Sequence, residues 1–322
     1  MPLPIVSKSW FQMHYIHLKT VFLWLLFLIN QLIFQIVFLL FFRVQDDFSP
    51  QGCHVPVYFK LLLSISFLIP LFVVYWTSRR FSVFSKLWRP KSDPTSFFSL
   101  PATGSGDDRK RFYRPLFWLT VGIFLPSALF VLQSELATWS YILFPDESRL
   151  NEMMALLSPC VDSMADILGG YITIGIVGPV CEEILFRGII FHFLLRHYRS
   201  RGKTALVPIL FQAFLFSVAH MNPLQMFYAF SAGLVFGVVA LWTGSLIFPI
   251  LLHVINNSMT LFLLHKFPDL PYVGSPQGTV EHIPPEFLLI SLLLAGVSLY
   301  FIRELFRTGI LIKKNDLQEK TS

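Results

Sequence analysis

The 322-residue chain is 54% hydrophobic and only 14% charged, against roughly 25% charge in a soluble domain, which excludes an ordinary soluble globule and a disordered chain. Mean hydropathy is +0.63, and phenylalanine alone supplies 35 residues. The net charge of +6 and pI near 9.2 would suit nucleic acid. However, the Lys and Arg residues lie in short stretches beside apolar blocks, where they orient a membrane protein and touch anionic lipid. Membrane lipid is the expected partner, and nucleic acid is not.

In chain order, eight apolar blocks reach the ~20 residues that cross a hydrocarbon layer as helix. They are Leu18–Phe42, Tyr58–Thr77, Pro115–Gln133, Ala165–Leu195, Thr204–His220, Pro223–Trp242, Leu246–Leu264 and Phe287–Phe306. Each is too long and too uniformly apolar for a barrel strand. The expected fold is therefore an all-α polytopic membrane helix bundle of about eight transmembrane helices. The first block is much longer than a signal-peptide core and has no small-residue cleavage site. The fourth is too long for one straight crossing, and Gly178-Pro179 is the expected kink or restart. On the sixth, Ala229, Gly233 and Gly237 recur every four residues, which lets a neighbouring helix approach closely.

Basic residues mark alternate loops: Arg79, Arg80, Lys86 and Arg89 through Arg114 after the second block, Arg196 to Lys203 after the fourth, and Arg303 to Lys314 after the eighth. The other loops carry Asp46, Asp47, Asp146, Glu147 and Glu152. The positive-inside rule then puts both termini in the cytoplasm of a cell (inner) membrane. The stretch 91–114 reads as a flexible basic linker. It divides a two-helix membrane region (1–90) from a six-helix core (115–310), followed by a tail (311–322).

Ionisable groups inside a membrane are costly and mark function. Three clusters stand out. In the first, Glu183 and Arg187 are four apart on one helix face and can pair, while Glu182 lies about 100° round the helix, unpartnered, as suits a general base or acid. In the second, Phe216 and His220 share a face, so the ring can wall one side of the imidazole. In the third, His253 and Asn257 share a face and can both donate towards one point, while Asn256 points elsewhere. Taken singly, each has a structural alternative: a buried charge network, an interfacial histidine, or interhelical hydrogen bonding.

Together, Glu182-Glu183-x-x-x-Arg187, Phe216-x-x-x-His220 and His253-x-x-x-Asn257, in that order on successive membrane helices, resemble the CAAX protease and bacteriocin-processing enzyme family, which includes the prenyl-protein endopeptidases. The resemblance covers roughly Pro115 to Leu264. It implies an intramembrane endopeptidase acting on a peptide or lipidated protein substrate. Glu182 and His220 would activate a water, and His253 and Asn257 would stabilise the oxyanion. Glu183, Arg187 and Phe216 would support them.

No cofactor is required by this reading. Glu182, His220 and His253 also make an open Zn²⁺ ligand set, although the chain lacks the HExxH pair of soluble zincins. Two rival classes share the residues: a non-catalytic scaffold, and a proton-coupled transporter, which would predict the repeated halves that this chain lacks. Cys53, Cys160 and Cys181 form no CxxC pair, and the first two fall in outward loops where a disulfide is permitted. His192, His197 and His265 read as structural or interfacial. Counting along the helices puts His220 about 24 Å from the basic loop before it and His253 nearer the inner side, so their depths do not coincide.

Overall fold

The computed structural model describes residues 20–30, 32, 68–69, 72, 108–146, 150, 164–267 and 281–307. Among them every regular element is helical and there is no strand. Helix α1 is Thr20–Asn30. Helix α2 runs from Asp108–Leu119 through a π-helical stretch, Thr120–Phe124, into Leu125–Leu143. Helix α3 strings together Met164–Gly170, π-helical Tyr171–Val177, Gly178–Glu183, π-helical Ile184–Phe191 and His192–Arg199. Then come α4 (Leu206–Ala219), α5 (Pro223–Thr243), α6 (Ile247–Lys266) and α7 (Pro285–Arg307).

Four of these helices are long and apolar enough to cross a membrane: Pro115–Leu143 within α2, and α5, α6 and α7. The chain is an integral membrane protein, but the expected count of about eight spans is not confirmed. At 14 residues, α4 extends only about 21 Å, short of the ~30 Å hydrocarbon layer. Most of the first expected span and nearly all of the second lie outside the described residues, as do residues 91–107 of the linker and both loop cysteines, while the last residues of the expected linker, 108–114, are helical and open α2. Nor is Gly178-Pro179 a break. Val177 and Gly178 keep right-handed helical dihedrals. Proline's missing N–H falls where the hydrogen-bond register changes from π to α.

Apolar helices gain little from burying apolar surface in lipid, so close packing and polar ties must hold them together. The small-residue row on α5 supplies the first. A Cβ added at Gly233 would lie 2.9 Å from the Cα of Ala213, and one at Gly237 would lie 2.5 Å from Nε2 of Gln212. Thus α4 lies directly against α5. The two form an antiparallel hairpin: Ser217 Oγ donates to the Met226 carbonyl at 2.7 Å. Their turn is fixed by Met221 at positive φ and by Asn222, whose side chain caps α5 by accepting from Leu224 N–H at 3.0 Å. Gly175 plays the same part between α3 and α6, where a Cβ would meet Ser258 Oγ at 2.9 Å.

Aromatic contacts complete the bundle. Phe117, Phe248 and Phe306 join α2, α6 and α7 with ring centroids 5.1–5.9 Å apart. Helix α1 docks on the other side. Its Phe27 packs edge-on to Phe186 at 5.8 Å, and Trp24 Nε1–H donates to the Leu215 carbonyl at 2.8 Å. Large apolar side chains on α7, such as Phe287, Leu293 and Val297, are more than half exposed. In a membrane protein that face meets lipid.

Candidate active site

Helix α3 brings Glu182, Glu183 and Arg187 into the bundle. The expected pair is present: Arg187 Nη1–H donates to Glu183 Oε1 at 2.7 Å, with both side chains fully buried. A buried ion pair offsets its desolvation only if its remaining donors are also satisfied. That condition is met in part: Arg187 Nη2–H reaches the Gly233 carbonyl at 3.3 Å, and Gln212 Nε2–H donates to that same carbonyl at 2.7 Å, while Arg187 Nε and Glu183 Oε2 are buried without a hydrogen-bond partner. The close α4–α5 approach at Gly233 gathers these donors around one carbonyl. The guanidinium also lies 4.4 Å from the Phe216 ring centroid and 5.4 Å from that of Phe236. A planar cation serves here as an ammonium could not, because it stacks on rings and donates in its own plane at once.

From α6, His253 enters the same network. Its Nδ1 lies 2.9 Å from Glu183 Oε1, so one carboxylate oxygen receives both the arginine and the histidine. Its Nε2 faces Glu182 Oε2 at 3.9 Å. The ring is flanked by Phe236 at 5.0 Å and Phe216 at 5.8 Å. The two adjacent carboxylates thus differ sharply. Glu183 is sealed at 0% exposure, whereas the Glu182 side chain retains 14%.

His220 caps the end of α4. Its Nδ1 is 2.9 Å from the Phe216 carbonyl, an acceptor, so Nδ1 carries the proton and Nε2 presents its lone pair in the neutral ring. As expected, the Phe216 ring walls the imidazole, T-shaped at 5.0 Å. Phe216 touches both histidine rings, so α4 and α6 bring His220 and His253 against one aromatic side chain.

Asn257 is held by a device that begins in the sequence of α3. The N–H of Gly178 is taken by the Thr173 carbonyl, and Pro179 has no N–H to offer at the next position. The Ile174 carbonyl is left for a side chain, and Asn257 Nδ2–H donates to it at 3.2 Å. Asn256 does point elsewhere: its Nδ2–H donates to Gln133 Oε1 on α2 at 3.0 Å. Gln133 was absent from the sequence-level site, although a glutamine within an apolar span is itself a signal. Of the outlying histidines, His197 contacts Arg201 in its own chain turn, and His265 is partly buried with Nδ1 unbonded.

The zinc alternative does not assemble. Among the described residues, no group of three or more His, Cys, Asp or Glu side chains is placed to hold a metal. The described residues as placed do not fit a metal.

Residues 165–259 match the family model described as type II CAAX prenyl endopeptidase Rce1-like. That stretch contains all three motifs, so the resemblance read from them is borne out. Over 106 residues the chain is 37% identical to an "Uncharacterized 24.3 kDa protein" of Escherichia coli, covering 32% of this chain and 46% of that one. Over 97 residues it is 27% identical to "Membrane-embedded CAAX protease MroQ" of Staphylococcus aureus (strain USA300), covering 30% and 39%. The chain therefore spans less than half the length of these curated relatives. No solved structure matches it.

Proposed function

We propose that the chain is an intramembrane endopeptidase of the CAAX type, hydrolysing a peptide bond in a lipidated or membrane-associated substrate. The observation that carries this reading is the division between two neighbouring carboxylates. Glu183 is fully buried and bound to Arg187 and His253, while Glu182 stays partly open beside the Nε2 of His253. A purely structural charge cluster has no need of the second, unsealed carboxylate.

In this reading Glu182 is the general base, and the free Nε2 of His220 helps to hold the water by accepting a hydrogen bond from it. Glu182 takes one proton as the water oxygen bonds to the scissile carbonyl carbon. The resulting oxyanion accepts hydrogen bonds from Asn257, which has a second amide hydrogen beyond the one given to Ile174, and from His253. Because Nδ1–H of His253 is given to Glu183, the ring donates through Nε2 only when it carries two protons. The intermediate collapses as Glu182 returns its proton to the leaving amine, so one water is consumed and two chain ends form.

The alternation of basic and acidic loops supports cytoplasmic termini, with residues 1–90 and the linker as an addition to the core. The family match and the CAAX protease relative support a substrate whose C-terminus is lipidated. The test is a panel of farnesylated CaaX peptides, membrane-anchored peptides and unmodified controls offered to the purified full chain in nanodiscs. Cleavage restricted to lipidated or anchored members supports the reading. A folded wild type that cleaves none of them contradicts it.

A further inference from the structure

The contact between Glu183 and His253 goes further than bracing. We infer that Glu183 is a positioning residue for His253: its carboxylate holds the Nδ1 proton and thereby turns Nε2 towards Glu182. This deepens the peptidase reading and rests on it for its kinetic consequence.

The two residues lie 70 positions apart and on different helices, yet Nδ1 is 2.9 Å from Glu183 Oε1 and Nε2 is 3.9 Å from Glu182 Oε2. The two nitrogens of one ring therefore face two adjacent carboxylates. Glu183 cannot move to choose between partners. It is fully buried, and Arg187 binds the same oxygen at 2.7 Å. Arg187 is in turn fixed between the rings of Phe216 and Phe236, which also flank the imidazole. A histidine whose Nδ1 proton is given to a fixed acceptor has a set tautomer and a set ring plane, which is the part a carboxylate plays behind a catalytic imidazole. The guanidinium holds that acceptor in place. Arg187, Glu183 and His253 thus form a chain whose last atom is the Nε2 beside Glu182.

The experiment is ¹⁵N NMR of histidine-labelled full chain in nanodiscs, at a pH where the ring is neutral, with His253→Gln assigning the signal. The expected result is the Nδ1–H tautomer with bare Nε2 in wild type. It should be kept in Glu183→Gln, whose amide oxygen still accepts, and lost to a mixture in Glu183→Met/Arg187→Met. That double variant removes both charges together, a change that buried ion pairs often tolerate. In cleavage, the double variant should lower kcat by about 10- to 100-fold with KM nearly unchanged, the range for an outer partner of a functional histidine. Adding His253→Gln to it should cost no more than His253→Gln alone. An Nε2–H tautomer in wild type overturns the inference even if the double variant fails to fold. An unchanged tautomer in a folded double variant, or additive losses, also overturns it. Failure of the peptidase reading looks different: no cleavage by wild type, or full cleavage by His253→Gln, with the tautomer result still deciding the role of Glu183.

Discussion

The guanidinium of Arg187 lies 4.4 Å from the Phe216 ring centroid while it donates to Glu183 at 2.7 Å. One aromatic ring thus touches a buried cation and the rings of both His220 and His253. Replacing Arg187 by methionine should leave Glu183 as an uncompensated buried charge and cost about 3–5 kcal/mol. Thermal unfolding of the detergent-purified protein measures it. A melting temperature equal to wild type would show that the pair does not stabilise the bundle.

Gly233 should tolerate no side chain. A Cβ there would lie 2.9 Å from the Cα of Ala213, and its carbonyl serves both Gln212 and Arg187. Gly233→Val should lower stability by about 1–3 kcal/mol through overpacking. Gly122, whose added Cβ would meet nothing within 4 Å, is the control. Gly122→Ala should be neutral or stabilising by about 0.5–1 kcal/mol. Equal melting of the two variants would contradict the close α4–α5 contact.

Gln133 and Asn256 should show strong coupling. They share one hydrogen bond at 3.0 Å, and Gln133 Nε2 and Asn256 Oδ1 are buried without partners. Either single change to leucine strands the other amide and should cost about 1–3 kcal/mol, whereas the double change to leucine should recover much of that loss. A double-mutant cycle on the melting free energy measures the coupling. Simple addition of the two losses would mean that the pair does not interact.

Pro179→Ala should restore an N–H near the Ile174 carbonyl and so compete with Asn257 for it. The helix itself should gain stability, while Asn257 loses its anchor. Cleavage should fall towards the level of Asn257→Ala, for which the loss of one oxyanion donor predicts about a hundred- to a thousandfold in kcat. Full activity in Pro179→Ala would show that Asn257 needs no such anchor.

What could be read in the sequence was what lies on a single helix. The Glu183–Arg187 pair, the Phe216 wall on His220 and the close-packing row through Gly233 all follow from spacing of three or four residues, and the structure contains each. What could not be read crosses between helices. His253 meets Glu183 across 70 positions and Asn256 meets Gln133 across 123, and helical periodicity says nothing about which faces meet. The Ile174–Asn257 bond lies between these cases: Pro179 announces a free carbonyl without naming its donor. The span count is not confirmed: among the described residues four helices are long and apolar enough to cross a membrane, and α4 is apolar but short.

The most direct test of the peptidase reading compares wild type with Glu182→Gln on one lipidated peptide, with both fragments followed by mass spectrometry and a zinc chelator present or absent. The account predicts two fragments whose masses sum to substrate plus one water, formed by wild type with or without the chelator. It predicts none from Glu182→Gln of equal thermal stability. Cleavage by Glu182→Gln at the wild-type rate would contradict it.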